Sequence, residues 1–288
     1  MADFFSSLGG MFSYGFMVRA FVGGGLVALC SALLGVSLVL KRYSMIGDGL
    51  SHVSFGAMAI AMAAGVAPLQ FAIPIVVVAA FLLLRLNENS RMKGDAAIAL
   101  VSTSALAVGV AAISSSTGVN TDVYSYMFGS LLGMTDGDVW LCAGFSAAVL
   151  VMFVLFYNRI FAVTFDENFT RATGTNAGLY DMVIAVLTAV MIVLGMRMMG
   201  AMLISSLIIF PVLSSMRLCR SYKSVVFCSA AVSAGCFFTG ICISYFFDRP
   251  FSVPPGASIV LVNLFVFLVF SAVSFFLRRN RRFSADPR

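Results

Sequence analysis

The sequence predicts an all-α polytopic membrane protein with eight or nine transmembrane helices, and three observations carry that prediction. Of its 288 residues, 61% are hydrophobic and only 10% charged, whereas a soluble domain carries about 25% charged residues. Apolar runs near bilayer length recur from one end of the chain to the other. Basic residues gather in alternate gaps between those runs, as topology signals do.

The runs fall at about 17–40, 50–66, 68–86, 95–114, 138–158, 178–198, 201–217, 224–247 and 256–277. The second is short and meets the third at Gly65 to Pro68, which makes the pair readable as one broken hairpin. The stretch 121–133 is too short to span and reads as a partial or re-entrant helix. Residues 17–277 therefore form one transmembrane domain, preceded by a short interfacial helix over 1–16 and followed by a basic tail over 278–288. Phe4, Phe5, Leu8, Met11 and Phe12 give the first segment its helical apolar spacing.

Charge fixes an orientation. Fifteen of the 18 basic residues lie in the gaps after the first, third, fifth and seventh runs or in the C-terminal tail. Arg19, Arg197 and Arg249 stand on the other side. The positive-inside rule then places the N-terminus outside and the C-terminus in the cytoplasm of a multi-pass membrane protein. The net charge of +6 is spread among loops, so it makes no stripe for nucleic acid. The six cysteines show no zinc-type spacing and read as small packing residues without disulfides. No G-x-x-x-x-G-K-[ST] loop is present, so this chain does not by itself hydrolyse nucleotide by that route.

Three stretches could carry function. In Lys41 to Gly56 the chain's single histidine, His52, follows Asp48 at i and i+4, so on a helix both share one face. A carboxylate beside an imidazole is half of a divalent-metal site. The competing account makes Asp48 a helix cap and His52 a packing residue; ionisable residues within membrane segments favour the metal. Gly56 continues the same face with Ala59 and Ala63, a small-residue stripe that permits close helix approach.

The second stretch, Phe165 to Gly178, reads as a short cytoplasmic helix with Asp166 and Glu167 in its first turn and a stop at Gly174. The alternative is a plain connector. The third, Arg197 to Pro211, closes one run at Arg197, turns at Gly200 and should bend the next helix at Pro211. Arg197 is also readable as a snorkelling side chain. The methionines around it read as packing.

Together these stretches resemble the membrane permeases of bacterial ABC importers for zinc, manganese and iron(II). The resemblance rests on Lys41-Arg42 followed by Met45-x-Gly47-Asp48-x-Leu50-x-His52, on Phe165-Asp166-Glu167-x-Phe169-x-Arg171-Ala172-x-Gly174, and on Arg197-x-x-Gly200-x-x-Leu203 to Pro211. Gly49 stands where the family often has Thr or Ala, and Thr173 where Leu is frequent. The resemblance implies a homodimer of permeases, two cytoplasmic ATPases and an extracytoplasmic metal-binding protein. It implies no permanently bound cofactor and a transported divalent metal, Zn2+ first and Mn2+ or Fe2+ next. Asp48 and His52 become the metal ligands, and Asp166, Glu167, Phe169, Arg171 and Gly174 the ATPase-coupling residues. Gly56, Arg197, Gly200 and Pro211 take structural or gating roles. The rival readings are a permease for a metal chelate of siderophore or cobalamin type and a proton-coupled secondary transporter.

Overall fold

The computed structural model describes residues 10–89, 94–115, 129, 131–246 and 253–284. Within these residues every regular element is helical. Helix α1 spans Gly15–Leu40 and α2 Ile46–Ala63. Helices α3 (Pro68–Asn89) and α4 (Gly94–Ser115) follow. Next come α5 (Asp136–Leu155), α6 (Tyr157–Phe165) and α7 (Glu167–Ala172). The chain closes with α8 (Ala177–Met199), α9 (Ala201–Leu218), α10 (Tyr222–Phe246) and α11 (Pro255–Ser284).

Eight of these helices are long and apolar enough to cross a membrane. Helix α2 is the ninth long helix and is not among them. Gly47, Asp48, Gly49, Ser51 and His52 dilute its first half, yet most of its residues are buried. It packs against α3, α4, α8 and α9, which shield it from lipid. A helix in that position can carry polar side chains without exposing them to hydrocarbon. Helix α11 extends its backbone past 277 to Ser284, so the first part of the basic tail continues the last span. Most of the 1–16 and 121–133 segments, and Arg249, lie outside the described residues, as do the side chains of 278–288.

Close helix contacts set where α2 sits. A Cβ on Gly56 would lie 2.5 Å from the Ala105 carbonyl oxygen, and one on Gly109 would lie 2.8 Å from the Gly56 Cα. The α2–α4 crossing is thus backbone against backbone, the geometry small residues permit. A Cβ at Gly49 would meet Ile98 Cγ2 at 2.7 Å, which gives a physical reason for glycine there. Because Gly56 faces a main-chain oxygen that has no rotamer to escape into, Gly56→Ala should cost about 1–3 kcal/mol. The expected result is a lower melting temperature of the detergent-purified protein. Gly49→Ala, which displaces only a side-chain methyl, should cost less in the same assay.

All six cysteines are free thiols. Cys142 Sγ lies 3.2 Å from Met198 Sδ in a buried contact, and Met191, Met196, Met198 and Met199 are buried in the core. The sulfur-rich region around Arg197 is packing.

Candidate metal site

Helix α2 starts at Met45, which makes no side-chain cap. Asp48 is in the first turn but does not close it. Its Oδ2 lies 3.6 Å from His52 Nε2, with the carboxylate 45% and the imidazole 23% exposed. The capping account of Asp48 therefore gives way to a paired carboxylate and imidazole that an incoming ion can reach.

Two serines complete the surroundings. The Ser51 hydroxyl donates to the Asp48 carbonyl at 2.7 Å. Ser205, in the second turn of α9, donates to the Ala201 carbonyl at 3.0 Å and lies 3.5 Å from Ser51 Oγ, beside the pair. Ile208, one turn further on, packs against both Gly35 and Gly47. Gly35 is about 9 Å of helix before Lys41, and Ser205 is about 20 Å along α9 from Leu218. The pair thus lies level with the first half of α9, within the bundle and nearer its Gly200 end. Ser51 and Ser205 were not among the residues singled out from sequence. Their only signal was polarity inside apolar runs.

At one end of the bundle, Gly200 adopts φ +86° and serves as both the last cap of α8 and the first of α9. That backbone region suits glycine. Arg197 pairs with the buried Asp138 at 3.3 Å, and Arg19 with Asp136 at 3.1 Å. Asp138 also closes a capping box with Thr135, so Arg197 anchors the start of α5 rather than snorkelling. Pro211 lies inside α9, which continues through it to Leu218.

At the other end, Asp166 caps α7 by accepting from the Phe169 N–H at 2.9 Å, and Gly174 has φ +81°. Arg171 pairs with Glu167 on the same helix. Lys41 Nζ bridges Asp181 of α8 and Glu167, the latter at 3.7 Å. Lys41 and Asp181 side chains are only 11% and 13% exposed. Phe169 and Phe165 point outward, 65% and 59% exposed. The structure thus gathers Asp48 with His52, and separately Asp166, Glu167, Phe169 and Arg171, while Arg197 and Gly200 stand at the far end from the second group.

Among the described residues no group of three or more His, Cys, Asp or Glu side chains converges. Asp48 and His52 stand as a pair with no third such side chain beside them.

Residues 13–274 match the model of the ABC 3 transport family. The chain belongs to that family. Among its relatives are the manganese import system permease protein ScaB of Streptococcus gordonii, 27% identical over 95% of both chains, and the manganese transport system membrane protein MntC of Halalkalibacterium halodurans. The latter is 28% identical over 92% of this chain and 88% of that one. A solved structure of PsaBC from Streptococcus pneumoniae in complex with Fab superposes with a TM-score of 0.81 at 28% identity. It covers 93% of this chain and 94% of that one. An ABC 3 protein with eight apolar spans is a multi-pass permease of the bacterial cell membrane.

Proposed function

We propose that this permease carries a divalent transition-metal ion inward through an ATP-driven importer, with Mn2+ as cargo ahead of Zn2+ and Fe2+. The observation that carries the proposal is the Asp48/His52 pair, reachable and seated within the bundle on a helix shielded from lipid. The family resemblance implied Zn2+ first. The relatives named for manganese support placing Mn2+ ahead, and a carboxylate-containing donor set suits the harder ion.

A two-fold dimer would bring two carboxylates and two imidazoles together and complete the coordination that one chain leaves open. The two serines would support the pair from behind, Ser51 by holding the Asp48 main chain, as outer partners of metal ligands do. A transit site has to release its ion, so its affinity is modest. The end that carries Lys41 and α7 is taken as cytoplasmic from the basic-residue count. There Phe169, an exposed aromatic ring on a short capped helix, is suited to anchor a separate ATPase in one of its pockets. An extracytoplasmic binding protein would deliver the ion at the Gly200 end.

Reconstitution tests this reading. In proteoliposomes holding the permease, its ATPase and the loaded binding protein, Mn2+ uptake should require internal-face ATP and all three components. Uptake by the permease alone, driven by a pH gradient, would replace the importer with a proton-coupled carrier.

A further inference from the structure

A groove of about 720 Å³ opens on the flank of the bundle between α1, α5, α6 and α10, well apart from the metal pair. Its walls are apolar along most of their length, with Leu29 and Leu33 from α1, Leu150 from α5, and Val226 and Ala230 from α10. Its polar groups are confined to one end. Tyr157 and Asn158 open α6, and Lys223 lies in the first turn of α10. Tyr157 is held in place by ring contacts with Phe153 and Tyr222, at centroid distances of 6.2 and 5.5 Å. Lys223 forms no ion pair, and the Asn158 side chain no hydrogen bond, among the described residues. No acidic residue lines the groove.

We propose that this groove is a binding site for one anionic phospholipid. The acyl chain would lie along Leu33, Val226 and Ala230, and the headgroup phosphate would sit between Lys223, Asn158 and the Tyr157 hydroxyl. The polarity gradient matches that of a lipid seated at a membrane boundary. The unpaired ammonium and the absent carboxylates select a negative headgroup over a zwitterionic one, and basic pockets between membrane helices take anionic headgroups by this chemistry. The polar end lies on the same end of the bundle as α7, because Tyr222 also contacts Phe161 and Phe165, which lead into that helix. An occupied groove would brace α6 against α10 beside the Asp166–Gly174 segment.

Native mass spectrometry of the full-length permease tests this, after delipidation in detergent and addition of phosphatidylglycerol or phosphatidylcholine. Phosphatidylglycerol should be retained in preference, and Lys223→Gln should lower its retention about fivefold. Ala230→Trp, which fills the apolar end, should lower retention of both lipids while leaving the elution profile unchanged. Equal retention of the two lipids, unaffected by Lys223→Gln, would overturn the proposal. Displacement of phosphatidylglycerol by millimolar inorganic phosphate would overturn it too, since the site would then read a free anion. So would a shift of Ala230→Trp from dimer to monomer, which would make the groove a subunit contact.

Discussion

Cells whose only copy of this permease carries Asp48→Ala or His52→Ala should accumulate manganese at well below a tenth of the wild-type level. Loss of an outer partner alone costs about 10–100-fold at a metal site, and these changes remove a ligand itself. Asp48→Asn keeps the shape and removes the charge, so it should fail equally. Ser205→Ala removes only a hydroxyl beside Ser51 and the pair and should give an intermediate loss. The measurement is elemental analysis of washed cells, with permease abundance checked by immunoblot. Normal accumulation in both alanine variants would sink the free-ion reading and favour a chelate as cargo. The graded series matters because misfolding would not rank the variants by their distance from the metal.

Much of this architecture is written in the apolar runs, since lipid demands helices of about 20 residues wherever the chain crosses. The runs at 178–198 and 201–217 differ from α8 and α9 by one residue or so, and Gly200 marks the turn between them. The boundary that matters for the site is that of α2, which begins at Ile46 rather than near 50. Hydropathy marks where lipid is met, and α2 meets protein, so its polar first turn fell outside the apolar run. That same shielding is what lets Asp48 and His52 sit inside the bundle. Their i, i+4 spacing was legible because it is local. Ser205 was not, because its approach to Ser51 joins positions 154 apart in the chain. The metal preference was also hidden, since one Asp and one His suit manganese and zinc nearly alike.

A long-range ion pair leads to the second large effect. Lys41 ends α1 and bridges Asp181 on α8 to Glu167 on α7. The next residue, Arg42, has φ +64°, a left-handed conformation unusual for a side chain of that size. It closes the end of α1, with the Tyr43 N–H donating to the Leu38 carbonyl at 2.8 Å. Asp48 follows Lys41 by seven positions. On the proposed function, displacement of α7 by a docked ATPase would pull on a strained turn that leads into the helix of Asp48 and His52, with Lys41 as the link. Lys41→Met should leave α7 and the metal pair in place but break that link. In the reconstituted importer, basal ATP hydrolysis should persist, stimulation by the loaded binding protein should vanish, and uptake per ATP should fall on the order of tenfold, corresponding to about 1.4 kcal/mol of lost coupling. Lys41→Arg, which keeps a cation between the two carboxylates, should recover most of the stimulation. A purely structural role would lower the melting temperature and both activities together, with the ratio of uptake to hydrolysis unchanged, and that outcome would remove Lys41 from the transmission path.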